Sequence, residues 1–353
     1  MPALLLQLAS TFALSIALGL YLTPIVRRGA LEFGVVDRPD GRLKRQRAPV
    51  AYLGGVAVYL AFLLTLALVF EFEADLLGLL LGGTLVVMLG LFDDMKVLPP
   101  ALKLGGQALA VLVLLKSGVS IQLELLPRWA SLALSVVWLL GVTNAFNILD
   151  VSDGLAAGVG AVCAAALAGV ALIHGDRLIA TTALALAGAL AGFLRYNRSP
   201  ASIYLGDAGS LFIGFMLAAL AMIGNYTRTS AVGALAPLGI LFVPLLETTL
   251  VSLARLSRRA SPFTGSTDHL ALRLRQRGWT PRAVAAAAYV TSAVTAALGI
   301  SLIFVAANVA LVIVGTLAAL ALGLIVWLWR WCPRPGDQAA TAPVGTGSPA
   351  TSA

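Results

Sequence analysis

The chain has 353 residues, of which 59% are hydrophobic and only 11% are charged, and its mean hydropathy is +0.95. About a quarter of the residues in soluble globular proteins are charged, so this composition excludes that class. Apolar runs long enough to cross a bilayer recur from one end to the other, which predicts a polytopic helical membrane protein. Cys163 and Cys332 indicate neither a disulfide framework nor a thiolate metal site.

Eleven apolar segments are candidates for membrane-spanning helices. They cover roughly residues 3–26, 53–70, 76–92, 101–116, 130–147, 155–173, 178–194, 206–224, 231–254, 283–306 and 309–331. Pro237, Pro244 and Glu247 fall within the ninth segment, which predicts a kinked or broken helix there.

The basic residues predict how these segments are oriented. When successive loops are assigned to alternate sides, all but four of the 24 Lys and Arg residues fall on one side. The four exceptions are Lys116, Arg128, Arg177 and Arg228. The positive-inside rule then predicts an N-terminus outside and a C-terminus in the cytoplasm. We interpret the formal net charge of +8 as a topology signal rather than as a nucleic-acid-binding surface.

The apolar segments divide the chain into two regions. Residues 1–332 are predicted to form one polytopic membrane domain. Residues 333–353 are rich in small residues, Pro and Gly without periodicity, which predicts a disordered cytoplasmic tail.

Carboxylates and amides gather where the predicted helices meet the cytoplasm. Asp93 and Asp94 end the third segment, the stretch "NAFNILDVSDGL" (144–155) joins the fifth to the sixth, and Asp207 opens the eighth. An enzyme that acts on a cytoplasmic solute and a membrane lipid needs polar groups at this boundary. A transporter more often places its polar site near the bilayer midplane.

The first of these features has two interpretations. Asp93 and Asp94 lie at a helix C-terminus, where the helix dipole disfavours anions. They mark either a solvated membrane boundary or a site for a cation or a proton. Lys103, ten residues on, is either an interface anchor or a phosphate contact.

The second feature is a spacing of three residues between Asn144, Asn147, Asp150 and Asp153. This spacing keeps polar groups on one slowly drifting helix face. An N-cap at Ser152 or Asp153 and an interhelical hydrogen bond at Asn144 would explain one or two of the four groups, but not all of them. Oxygen ligands of this kind suit Mg²⁺ or Mn²⁺ better than Zn²⁺.

Three further motifs stay open between structural and binding roles. In "LGDAGSLFIG", Asp207 is either an N-cap or part of a glycine-framed phosphate site at a helix N-terminus. The segment 255–279 carries seven basic residues, counting His269, and is either topogenic or able to bind a pyrophosphate. The basic segment 37–47 has the same two interpretations, with anionic lipid headgroups as another partner.

Taken in order, these motifs resemble those of a known membrane family. They are "GVVDRPDGRLKRQRAPVAYLGG", "FDD", "NAFNILDVSDGL", "YNRSPASIYLGDAGSLFIGF" and "SPFTGSTDHLALRLRQRG". Together they resemble the polyprenyl-phosphate N-acetylhexosamine-1-phosphate transferases (glycosyltransferase family 4), which start lipid-linked glycan synthesis in bacteria. The "PVAYLGG" stretch is more similar to the undecaprenyl-phosphate GlcNAc-1-phosphate transferase-like branch than to the peptidoglycan branch.

The resemblance implies a fold and a reaction. The fold is an all-α bundle of eleven transmembrane helices in the bacterial cytoplasmic membrane, with its N-terminus outside and its active site on the cytoplasmic face. In the reaction, a UDP-N-acetylhexosamine, by preference UDP-GlcNAc, loses UMP while its sugar-1-phosphate moves to undecaprenyl or decaprenyl phosphate. The implied partners are these two substrates and the membrane, without nucleic acid, and a homodimer is allowed.

The resemblance also implies roles for individual residues. It implies Mg²⁺, with Mn²⁺ as an alternative, held by Asn147 and Asp207. Asp93 and Asp94 are the implied catalytic residues. The implied substrate-binding residues are Lys103, Asn144, Asp150, Asp153, His269 and Arg273. Because a phosphate monoester has a second pKa near 6, the acceptor is already largely dianionic, which favours positioning over proton removal by Asp93. A covalent two-step mechanism through an aspartate stays open.

The chain departs from the family pattern in its histidine motif. Where the family usually has two more histidines, this chain has Ala271 and Leu272, which cannot hydrogen-bond a phosphate or a sugar. His269 and Arg273 remain. This departure favours a second hypothesis, a family member with a different sugar or lipid or with lost activity. An unrelated transporter is the third, and Glu247 is the ionisable group that fits it.

Overall fold

The computed structural model describes residues 2–37, 49–69, 74–123, 126–224, 226–227, 231–257 and 268–331. The α-helices in these ranges are α1 (Pro2–Glu32), α2 (Gly54–Val69), α3 (Ala74–Met95), α4 (Pro100–Lys116), α5 (Arg128–Leu149), α6 (Leu155–His174), α7 (Arg177–Asn197), α8 (Gly206–Ile223), α9 (Ala236–Ile240), α10 (Phe242–Ser257), α11 (Leu270–Gln276), α12 (Pro281–Ser301) and α13 (Ala307–Trp331). A 3₁₀-helix covers Ala231–Leu235, and two short strands are β1 (Val36–Asp37) and β2 (Val50–Ala51). The predicted tail 333–353 and residues 38–47 of the basic segment lie outside the described residues.

The predicted all-α membrane class is confirmed. Of the described helices, eight are long and apolar enough to cross a membrane, and a bent pair adds a ninth span if it is counted as one. Helices α2 and α4 are shorter, with 16 and 17 residues. Each of the eleven predicted segments contains a described helix, but the number of spans and the orientation in the membrane remain predictions.

The ninth predicted segment is broken, as its prolines predict. Helices α9 and α10 meet at an angle of 75° on either side of Leu241. Pro237 lies at the start of α9, and Pro244 lies in the first turn of α10. A proline is tolerated there because the amide that it lacks would have no partner within the helix.

Helix α8 is the centre of the bundle, and small residues allow other helices to approach its first turn. Of its apolar window, 83% is buried. A Cβ added at Gly90 of α3 would lie 2.4 Å from the Cα of Ala208, and one at Gly55 of α2 would lie 2.0 Å from the amide nitrogen of Gly209. The three helices therefore meet backbone to backbone, as small residues permit in membrane proteins.

A small β-ribbon joins the same end of the bundle. Strands β1 and β2 pair antiparallel, with Asp37 opposite Val50. Ala51 also bridges to Ile203, and the amide of Tyr204 donates to the carbonyl of Ala51 at 2.8 Å. These bonds hold the segments before α2 and before α8 beside each other at the mouth of the cavity described next.

Candidate functional site

A cavity of about 770 Å³ opens at the end of the bundle where α3 ends and α6 and α8 begin. Its wall is strongly acidic. The carboxylates in the wall belong to Asp37, Asp93, Asp94, Asp150, Asp153 and Asp207. A second cavity of about 840 Å³ lies near the opposite ends of these helices and contains none of the predicted site residues.

Asp94 fixes the start of α8. Its Oδ1 accepts a hydrogen bond from the amide of Asp207 at 2.7 Å, and its Oδ2 accepts one from the amide of Ala208 at 3.1 Å. These amides are in the first turn of α8, where no carbonyl of the helix itself can accept them. Gly206 has a φ of +74°, and a Cβ there would lie 2.6 Å from the Asp94 carboxylate. Glycine is therefore required for this cap to close.

Lys103 is bound in a cage of oxygen atoms. Its Nζ lies 2.8 Å from Asp93 Oδ2, 2.5 Å from Asp207 Oδ2 and 3.3 Å from Asn147 Oδ1. The Asn147 Nδ2 donates to Asp207 Oδ1 at 2.7 Å and to Ser210 Oγ at 2.9 Å. Four of the predicted site residues, from α3, α4, α5 and α8, thus form one network. We call it the Lys103 cage.

Asp93 has a further contact that shapes the loop after α3. Its Oδ1 accepts from the amide of Leu98 at 2.6 Å, while its Oδ2 faces Lys103. The neighbouring aspartates therefore have separate tasks, since Asp93 belongs to the cage and Asp94 caps a helix.

Asp150 and Asp153 line the same cavity. Burial, followed by the negative charges of Asp207, Asp94 and Asp153, raises the pKa of Asp150 well above its ordinary value. A carboxyl group with a raised pKa can hold a proton and donate it to a ligand oxygen. The Oδ2 of Asp153 accepts from the amide of Ala201 at 3.1 Å, which ties the start of α6 to the segment before α8.

Lys103 and Asn147 lie behind the cavity wall, in contact with Asp207, and Asn144 also lies outside the wall. The Asn144 Nδ2 donates to Gln107 Oε1 at 2.6 Å, and Gln107 Nε2 returns a bond to Asn144 Oδ1 at 3.3 Å. This reciprocal amide pair joins α5 to α4, one helical turn away from the Lys103 cage. It is the interhelical role that the sequence left open for this residue.

The structure also places His269 and Arg273 outside the cavity wall. The His269 Nδ1 lies 3.0 Å from Glu247 Oε1, and the Glu247 carboxylate also accepts from the amide of Leu270. The guanidinium of Arg273 is 1% exposed and donates to Asp268 Oδ1 at 2.9 Å and to the Leu328 carbonyl at 3.1 Å. In this arrangement the two residues anchor α11 to α10 and α13.

The cavity wall contains residues that the sequence analysis did not single out. They are Tyr52, Tyr204 and Arg275, among others. Burial, followed by the charges of Asp153 and Asp37, raises the pKa of Tyr204 to about 12, so its hydroxyl stays protonated. A helical spacing of three puts Leu272 and Arg275 on one face of α11, and this signal in the sequence could have separated Arg275 from Arg273.

The donor atoms at the Lys103 cage fit a hard divalent cation. Among the described residues, no three His, Cys, Asp or Glu side chains converge as a ready-made metal cluster. The cage nevertheless presents oxygens of Asp93, Asp207 and Asn147 to one positive charge, that of Lys103. Mg²⁺ is usually held by one or two carboxylates with water and substrate phosphates, so few protein ligands are needed.

Comparisons with known proteins show the family to which the chain is similar. The family model "Glycosyl transferase family 4" matches residues 76–225. A probable undecaprenyl-phosphate N-acetylglucosaminyl 1-phosphate transferase of Bacillus subtilis is 29% identical, over 79% of this chain and 80% of the relative. A decaprenyl-phosphate N-acetylglucosaminephosphotransferase of Mycolicibacterium smegmatis is 30% identical over 74% of each chain. A phospho-N-acetylmuramoyl-pentapeptide-transferase of Synechococcus elongatus is 34% identical, over 63% of this chain and 66% of the relative.

The apolar bundle and these relatives define the class of protein, an integral-membrane enzyme that transfers a phosphorylated sugar. Within that class, the chain belongs to glycosyl transferase family 4. The family predicted from the motifs is thereby confirmed.

Proposed function

We propose that the protein transfers N-acetylglucosamine-1-phosphate from UDP-GlcNAc to undecaprenyl or decaprenyl phosphate and thereby starts a lipid-linked glycan of the cell envelope. An oxygen of the acceptor phosphate forms a bond to the β-phosphorus of the donor. The bond from that phosphorus to the bridging oxygen breaks, and UMP leaves with the bridging oxygen. The reaction takes place on the cytoplasmic face of the bacterial inner membrane.

The observation that carries this proposal is the polar cavity at the end of an apolar bundle. A cavity in this place is open to a water-soluble nucleotide and adjoins the membrane that holds the lipid acceptor. The names of the relatives from Bacillus and Mycolicibacterium support N-acetylglucosamine as the sugar and a polyprenyl phosphate as the acceptor.

The residues of the chain act mainly by positioning. Asp94 fixes the first turn of α8, which directs Asp207 at the cavity. Lys103 holds Asp93 and Asp207 together although their charges repel. Since the acceptor phosphate is largely dianionic at neutral pH, proton removal by Asp93 contributes little. Such positioning accounts for a large share of catalysis in phosphoryl transfer.

Asp207 and Asn147 are the residues that would hold Mg²⁺, or Mn²⁺ in its place. When bound, the cation offsets the charge of the donor diphosphate and so permits an anionic acceptor to approach. Lys103 Nζ bonds to the same side chains of Asp207 and Asn147, so a cation held by them would compete with Lys103 for these oxygens.

The test is an assay of the purified protein with undecaprenyl phosphate and a panel of UDP-sugars, with and without Mg²⁺. We expect Mg²⁺-dependent release of UMP from UDP-GlcNAc and its loss in Asp207→Ala. Asp176→Ala is the matched control, because Asp176 is an aspartate at the N-cap of α7, outside this cavity. Absence of UMP release with every sugar would refute the proposed function, whereas release that survives Asp207→Ala would refute the assignment of Asp207.

A further inference from the structure

The described residues of the cavity wall include more acidic than basic side chains. Six aspartates line the cavity, but Arg275 is the one arginine among the described residues of its wall. The ammonium of Lys103 is already bonded to Asp93 and Asp207. Phosphate groups that enter such a cavity meet like charges, which disfavours binding unless cations oppose them.

Helix α11 presents Arg275 to the cavity in a fixed position. The start of the helix is held by the Glu247 carboxylate, which accepts from the amide of Leu270 at 3.1 Å. Its buried side is held by Arg273, which bonds to Asp268 and to the end of α13. The face with Leu272 and Arg275 is left toward the cavity, and Arg275 is exposed there.

The arginines of this segment therefore have distinct environments. Arg273 is 1% exposed and serves the fold, as described above. The guanidinium of Arg277 lies over the ring of Trp327, 5.6 Å from its centroid, and Arg277 is not part of the cavity wall. Among the three arginines described at positions 273–277, Arg275 is therefore the one that lines the cavity, and an arginine can bind two phosphate oxygens at once.

We propose that Arg275 binds phosphate oxygens of a substrate in the cavity, a contact that Leu272 in the same wall cannot make. This inference rests on the proposed function and deepens it. The phosphate belongs either to the diphosphate of the nucleotide sugar or to the lipid acceptor, since both carry the same chemical group.

The test compares Arg275→Ala with Arg277→Ala, which removes the same charge from the same segment. KM is measured for each substrate in turn by UMP release. We expect Arg275→Ala to raise KM for the UDP-sugar by about 10- to 100-fold, the usual weight of a charge-assisted hydrogen bond, and Arg277→Ala to leave it unchanged. Arg275→Lys should recover part of the loss. A rise in KM for the lipid phosphate instead also supports the contact and identifies the acceptor as its source.

The two proposals fail in different ways. If the wild type releases UMP and Arg275→Ala leaves both KM values unchanged, the role of Arg275 is refuted while the proposed function stands. Equal effects of Arg275→Ala and Arg277→Ala would also refute it, because the loss would then come from net charge alone. If the wild type releases no UMP from any sugar, both proposals fall together.

Discussion

Single residues determine the geometry of the acidic cavity. Lys103 is the first of them, because it bonds to two of the cavity's aspartates. Its ammonium lies between the carboxylates of Asp93 and Asp207, which would otherwise repel each other at close range. Each of these side chains comes from a different helix. Lys103 therefore sets where the ends of α3, α4 and α8 meet.

We expect Lys103→Met to lower the rate of UMP release at least 100-fold, because the two carboxylates would separate and face the donor diphosphate without an opposing charge. Lys96→Met is the control, since Lys96 is an exposed lysine in the same connection between α3 and α4. A variant at Lys103 that keeps a third of the wild-type rate would contradict the role assigned to the cage.

Gly206 is the second residue on which the cavity depends. We expect Gly206→Ala to destabilise the fold by about 1–2 kcal/mol through its left-handed backbone, and by more through the clash with Asp94. Gly141→Ala is the matched control, since a Cβ at Gly141 in α5 meets nothing within 4 Å. Thermal unfolding in detergent measures both. Equal melting temperatures for the two variants would argue against the closed cap.

The sequence predicts that Asp93 and Asp94 matter but cannot divide their tasks. From the sequence, the two adjacent carboxylates at this helix end are indistinguishable, and the family resemblance implies a catalytic role for both. Their partners lie far along the chain, Asp94 bonding to residues more than 100 positions away. Which oxygen meets which amide depends on the approach of α3 to α8, and local sequence does not encode that approach.

At the scale of elements, α11 shows how a short helix is held by buried charges. Arg273 and Asp268 form an ion pair in which each side chain is 1% exposed. Such a pair adds little net stability, but removing one partner leaves an uncompensated buried charge. Removing Arg273 alone should therefore destabilise this region more than removing Arg273 and Asp268 together.

We expect Arg273→Met to cost about 3–5 kcal/mol in the free energy of unfolding. The double variant Arg273→Met with Asp268→Asn should recover part of that loss, because the carboxylate that Arg273 neutralises is removed as well. Thermal melting of the wild type, Arg273→Met, Asp268→Asn and the double variant supplies the comparison. Additive losses in the double variant would contradict a structural ion pair.

Elements were predicted from the sequence with uneven success, for physical reasons. The break between α9 and α10 follows from Pro237 and Pro244, since proline acts on its own backbone. The face that α11 turns to the cavity follows from contacts with α10 and α13, which are distant in sequence. His269 and Arg273 were therefore expected at the substrate, whereas the structure places them against Glu247 and Asp268.

At the scale of the whole molecule, the apolar character of the bundle accounts for the position of the acidic cavity at its end. Apolar helices keep the protein in the membrane. Polar residues have a high free-energy cost inside the bilayer, so they lie at the helix ends, where water and substrates reach them. The apolar runs and the positions of the aspartates between them predict this division from the sequence. The Lys103 cage and the cap on α8 need the assembled bundle, because their members come from α3, α4, α5 and α8.

In the proposed reaction, a sugar moves together with the β-phosphate of its donor to a lipid at this cavity. The direct measurement uses UDP-GlcNAc labelled at the β-phosphorus and, separately, in the sugar, followed by extraction of the lipid. We expect both labels in the lipid with the wild type and neither with Asp207→Ala. Sugar label in the lipid without the β-phosphorus would contradict the account, as would equal labelling of the lipid by the variant.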